Sequence, residues 1–175
     1  MNDEVNRRHN LGYFFNDSVK QFPDKVAIFD LWGNQERQST YRQLDDRMTR
    51  VAVTLARLGI KAGERVGMMC GNRTEFLEFF FGAMRIGAIP VPLNNRLGDE
   101  TLSFIFKDAG CVAALIDPGC NKNAIDIAAG VPLRHCLLLD ETHDGFLSFE
   151  DEMAIDAPPV ASPPLDDDAQ AFQPY

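Results

Sequence analysis

Apolar residues at Tyr41, Leu44, Met48, Val51, Leu55 and Leu58 recur in steps of three and four, one continuous helical stripe. Thr40 with Gln43 reads as a capping box at its start, and Gly59 is placed to end it. Ahead of it, Leu11, Phe14, Phe15, Val19 and Phe22 have helix spacing, and Pro23 stops the pattern. Residues 25–31 (KVAIFDL) are rich in strand formers. The Gly33-Asn34 turn then leads into a second short strand near 36–39, which predicts a hairpin.

Residues 65–70 (RVGMMC) predict a strand. A helix over 74–86 follows, with Asn72 and Glu75 as its expected cap. It carries Phe76, Leu77, Phe79, Phe80, Phe81, Ala83 and Met84, an apolar surface almost all round, so burial on more than one side is expected. Residues 88–93 (AIPVPL) read as a short strand, but Pro90 and Pro92 remove ladder donors and push it to an edge or an irregular form. Further expectations are a helix over 99–109, a strand over 112–116, a poorer helix over 121–129 and a strand over 135–139. After Asp140 the pattern weakens. Residues 157–164 hold four prolines and read as a linker or surface crossing, and 168–175 as the start of one more strand.

Strands thus alternate with helices, and the strands are continuously apolar. That predicts an α/β fold, a mostly parallel sheet with helices on both faces. The organisation expected is a disordered N-terminus over 1–10, an α/β subdomain over 11–156, and a Pro/Asp-rich linker with the start of a strand over 157–175. A sheet with missing neighbours exposes an edge, so self-association through that edge is expected.

The 175 residues carry a formal net charge of −9, with 17 Lys and Arg against 26 Asp and Glu. No basic cluster is present to grip a phosphate backbone, so no nucleic-acid partner is expected. Much of the acid sits late, at Glu150, Asp151, Glu152, Asp156 and Asp166 to Asp168, and reads as solvated surface. Cys70, Cys111, Cys120 and Cys136 form no closely spaced pair, so neither a zinc knuckle nor a redox motif is written locally. Buried thiols in a reducing cytoplasm are the expectation. No signal peptide and no run long enough to cross a membrane is seen.

No Gly-x-x-x-x-Gly-Lys-Ser/Thr and no Gly-x-Gly-x-x-Gly occurs, and no serine sits in a Gly-x-Ser-x-Gly turn. Gly63, Gly67 and Gly71 read as turns bracketing a strand. His143 lies among Asp140, Glu141 and Asp144, which reads as a solvated loop rather than a metal site. No catalytic residue and no metal ligand is assigned. Arg96 is different. It lies just past a strand and before a helix, where parallel sheets usually bind ligands. A guanidinium there can hold a phosphate; the plainer alternative is a surface arginine paired with Asp99 or Glu100.

Several runs together resemble the adenylate-forming enzymes: Thr40-Tyr41-x-x-Leu44, Leu58-Gly59-Ile60-Lys61-Ala62-Gly63-Glu64-Arg65-Val66, Gly71-Asn72-Arg73, and Phe81-Gly82-Ala83-Met84-Arg85-Ile86-Gly87-Ala88-Ile89-Pro90-Val91-Pro92-Leu93-Asn94. Asp108-Ala109-Gly110-Cys111 extends the likeness. The form Pro92-Leu93-Asn94-Asn95-Arg96-Leu97 resembles acyl- and aryl-CoA ligases; peptide-synthetase adenylation domains more often show Pro-Leu-Asp-Pro there. The resemblance implies an acyl-CoA synthetase, a ligase of fatty-acid metabolism that uses ATP, Mg2+ and CoA on a fatty or aromatic carboxylic acid. It implies that Arg96, with Asn94 as motif partner, contacts the phosphates of CoA. It also implies that a phosphate loop follows the pattern Asp167-Asp168-Ala169 and a tyrosine. That loop is not among these residues, so the expectation is an N-terminal segment that does not adenylate alone, or a stand-alone non-catalytic interaction module with the same fold.

Overall fold

The computed structural model describes residues 3–34 and 36–175. Residues 1 and 2 of the expected disordered N-terminus, and position 35 in the hairpin connection, lie outside the described residues.

A five-stranded parallel sheet forms the centre, in the order β4-β3-β5-β6-β7. Its strands are β3 (Arg65–Met69), β4 (Ile89–Pro92), β5 (Cys111–Ile116), β6 (His135–Leu138) and β7 (Leu147–Ser148). A separate antiparallel hairpin joins β1 (Val26–Asp30) to β2 (Arg37–Thr40). Seven helices are described: α1 (Asp3–Arg8), α2 (Asn16–Gln21), α3 (Tyr41–Arg57), α4 (Thr74–Arg85), α5 (Asp99–Asp108), α6 (Ala124–Ala129) and α7 (Phe149–Ala154).

Strand residues point alternately to the two faces, and each face buries its own core. Val66, Met68, Ala113 and Leu115 turn toward α3, α4 and α7, where they meet Leu55, Phe79 and Met153. Met69, Ala114 and Ile116 turn the other way, onto Leu102 and Phe106 of α5 and Ile127 of α6. Both faces of the sheet are therefore covered, and the α/β expectation holds.

The α3 stripe forms as its spacing predicts, with Leu44, Met48, Val51 and Leu55 buried. Thr40 Oγ1 accepts from Gln43 N at 3.2 Å, and Gln43 Oε1 accepts from Thr40 N at 2.9 Å. Gly59 follows in the left-handed region at φ 79°. The α3–α4 contact is close because Gly82 has no side chain: a Cβ there would overlap Val51.

Several expectations need correction. First, 11–22 is not one helix. A 3-10 turn over Leu11–Tyr13 precedes the short α2, because the Gly12 backbone is pressed against Phe81 O and Arg85. Second, residues 3–10 pack against the fold. α1 forms, Asn6 Nδ2 donates to Ser162 O at 2.8 Å, and Asn10 Nδ2 donates to Met84 O at 2.8 Å.

Third, α4 is not capped by Asn72. Its N-cap residue is Arg73, whose side chain makes no capping bond, and Asp30 of β1 supplies the acceptor instead. Its buried set also includes Glu75, Glu78 and Arg85, while Phe76, Phe80 and Phe81 are half-buried. Fourth, α7 was not anticipated. Phe149 and Met153 bury it, and Arg47 and Arg57 of α3 pair with its Glu150 and Glu152. Residues 155–165 contain no regular element, and 168–175 form no strand.

Candidate functional site at the carboxyl ends of the strands

The chain turns after β3, β4, β5 and β6 all lie at one edge of the parallel sheet, the side where such sheets bind ligands. Asp117, just past β5, closes this end and is 1% exposed. Its N–H donates to Met69 O at 2.8 Å, its Oδ2 accepts from Gly71 N at 3.1 Å, and its Oδ1 accepts from Gly119 N at 3.0 Å. One carboxylate thus ties the ends of two neighbouring strands.

Beside it runs a chain of ion pairs. Arg73 Nε donates to Glu75 Oε2 at 2.7 Å, and Arg73 Nη2 donates to Asp140 Oδ1 at 3.0 Å. Arg37 of the hairpin donates to both oxygens of Glu75, at 2.6 and 2.9 Å, and also pairs with Asp30. Asp30 Oδ2 accepts from Thr74 N at 2.9 Å and from Thr74 Oγ1 at 2.8 Å. The path Asp30–Arg37–Glu75–Arg73–Asp140 joins the hairpin, the start of α4 and the end of β6.

Burial alone would raise the Glu75 carboxyl, but the Arg37 and Arg73 guanidinium groups outweigh it and bring it down to about 2. Burial would raise Asp30 too. The N–H groups of Thr74 and Trp32, the Thr74 hydroxyl and Arg37 hold it at about 2. Every charge in this path is matched inside the fold, so the path braces the strand ends. Sequence reasoning placed none of it, because its members are scattered between positions 30 and 140. A signal was present only in Asp30, a carboxylate closing an apolar strand.

The turn after β4 is built in the opposite way. Leu93 N donates to Met68 O at 2.9 Å, and Asn95 Nδ2 donates to Cys70 O at 2.8 Å, which pins the turn to the end of β3. Asn94 Oδ1 accepts from Arg96 N at 3.1 Å. Asn94 and Arg96 therefore sit in one turn, both exposed. The alternative pairing of Arg96 with Asp99 or Glu100 is not formed; Asp99 Oδ2 accepts from Asn123 Nδ2 at 2.6 Å instead. Among the described residues Arg96 has no ion pair. An unpaired guanidinium fixed at its backbone suits an anionic oxygen.

The remaining candidates are not drawn together. His143 Nδ1 lies 3.0 Å from Asp144 O, with its ring on Phe146. Among the described residues no three His, Cys, Asp or Glu side chains converge as a metal site. All four cysteines are free, with Cys70 and Cys111 buried. Burial pushes the Cys111 thiol up to about 12. No described helix is long and apolar enough to cross a membrane.

Comparison with known proteins places this geometry in a family. Residues 15–175 match the family described as AMP-binding enzyme. An uncharacterized protein of Mycobacterium tuberculosis is 35% identical over 120 residues, 67% of this chain and 65% of that protein. The long-chain-fatty-acid–CoA ligase FadD13 of the same organism is 42% identical over 101 residues, 58% of this chain and 20% of the ligase. In fold, the chain is similar to a solved M. tuberculosis fatty acyl CoA synthetase, with TM-score 0.82 and 24% identity over 97% of this chain and 33% of that one. The chain therefore spans less than two thirds of the first relative and a fifth to a third of the ligases. Family match and fold agree with the motifs read from the sequence: the chain belongs to the AMP-binding enzyme family.

Proposed function

We propose that these residues are the N-terminal segment of an ATP-dependent acyl-CoA synthetase, supplying scaffold and a CoA contact but no adenylation chemistry of their own. The observation that carries this reading is the match over residues 15–175 together with 42% identity to a long-chain-fatty-acid–CoA ligase. In the parent reaction a fatty or aromatic carboxylate attacks the α-phosphorus of ATP and expels pyrophosphate. The CoA thiolate then attacks the acyl carbon of the acyl-adenylate and expels AMP. Mg2+ would offset phosphate charge there.

Within that scheme Arg96 holds a phosphate of CoA and Asn94 shapes the turn that presents it. Its exposure and lack of an ion pair support this role. The brace from Asp30 to Asp140 ties the hairpin to the start of α4 and the end of β6. The described residues offer no donor set for Mg2+ and no phosphate loop, so no ATP step is assigned to any of them. The four free thiols support a cytoplasmic location.

ATP–pyrophosphate exchange with a panel of fatty and aromatic acids tests the reading. No acid-dependent exchange is expected, and acid-dependent exchange above background overturns it. The alternative reading is a non-catalytic interaction module with the same fold. A partner captured by a chain that binds no CoA would favour that module.

A further inference from the structure

The outer edge of the sheet at β4 is an unusual surface. Ile89 N donates to Glu64 O at 2.8 Å and Leu93 N donates to Met68 O at 2.9 Å, so the odd-numbered residues turn their backbone groups to β3. Alternation then turns residues 90 and 92 outward. Both are prolines, and neither has an N–H. The edge therefore offers carbonyl oxygens and no donors. A further β-ladder needs both, in alternation.

One of those carbonyls has a partner from the chain itself. Gln173 N donates to Pro90 O at 3.0 Å. Side chains hold the same segment on both faces of the sheet. The Phe172 ring lies 5.6 Å from Phe80 on the α4 side. The Tyr175 hydroxyl donates to Asp108 Oδ2 at 2.7 Å, at the end of α5. Arg65 Nε of β3 donates to Gln173 Oε1 at 3.3 Å. Upstream, Pro163 and Leu165 lie against Gly87.

We infer that the β4 edge is an acceptor-only interaction surface. It takes an extended segment that gives N–H groups without needing any in return, here residues 169–175 of the same chain, and it refuses a second copy of the sheet. The opposite edge, β7, is two residues long and offers a second copy little to pair with. The self-association expected from an open sheet is thereby blocked at its longer edge. This inference is independent of the CoA reading.

Amide hydrogen exchange and sedimentation velocity test the two halves on the full chain. The Gln173 amide should exchange about tenfold more slowly than an unstructured amide of the same sequence; exchange at the unstructured rate overturns the occupancy. Wild type and Gln173→Pro should sediment as monomers, and Pro90→Val/Pro92→Val/Gln173→Pro should associate. A triple variant that keeps its circular-dichroism spectrum and stays monomeric overturns the refusal. Pro92→Val alone restores one outward donor beyond the Gln173 contact and serves where the triple variant does not fold. Its association must exceed that of wild type, and equality overturns the refusal as well.

Discussion

Asp30, the last residue of β1, caps helix α4 from across the fold: its Oδ2 accepts from the Thr74 N–H at 2.9 Å and the Thr74 hydroxyl at 2.8 Å, 44 residues away in sequence. The hairpin is thereby fastened to the parallel sheet through a helix terminus, where a negative charge is favoured. Removing the carboxylate leaves the Thr74 N–H without its acceptor and Arg37 with one fewer partner. Asp30→Ala is expected to cost about 2–4 kcal/mol, read as a lower urea midpoint at unchanged slope.

Acid should act through the same group. Asp30 is held at about 2 against its ordinary 3.8, and Glu75 at about 2 against 4.5. Both carboxyls are depressed in the folded chain. Their contribution is fully present above the unfolded values and is lost as pH falls from about 4.5 toward 2. Glu78, which burial pushes up, works the other way. Melting temperatures from pH 7 to pH 2 should fall more steeply below pH 4.5 in wild type than in Asp30→Asn. Parallel curves would contradict the assignment.

Gly71 lies against the only tryptophan of the chain. A Cβ at position 71 would overlap the Trp32 ring. Gly71→Ala is expected to cost about 1–3 kcal/mol and to shift the Trp32 emission maximum, since the ring must move. An unchanged emission maximum would count against the contact.

The capping box and the stripe of α3 give a graded pair. Thr40→Ala should cost about 1 kcal/mol, the loss of one cap bond. Leu55→Ala, at a fully buried site, should cost about 2–5 kcal/mol. Denaturant midpoints of the two variants check the order.

The legible part of the fold is the part written locally. The α3 stripe, its capping box and the continuously apolar strands each follow from neighbours a few residues apart. Pro90 and Pro92 likewise point to an edge or irregular strand, and β4 is an edge strand. What could not be read was set by distant partners. The Asp30 cap displaced the nearer Asn72. The Gly12 contact with Phe81 and Arg85 broke a helix that the spacing of 11–22 allowed. α7 carries only Phe149 and Met153 inward among acids that read as surface, and its partners are α3 arginines. At the site, Arg96 stood out because it follows a strand end. The Arg73–Glu75–Arg37 path did not, because pairing across the fold leaves no trace in spacing.

Calorimetric titration of CoA into the wild-type chain and into Arg96→Ala tests whether Arg96 holds a CoA phosphate. The exposed guanidinium contributes nothing to the core, so both proteins should melt alike. Wild type should bind CoA, and Arg96→Ala should bind it roughly tenfold more weakly, about 1.4 kcal/mol for one lost phosphate contact. Equal CoA affinity in the two chains, or no binding by either, would rule out a CoA contact at Arg96.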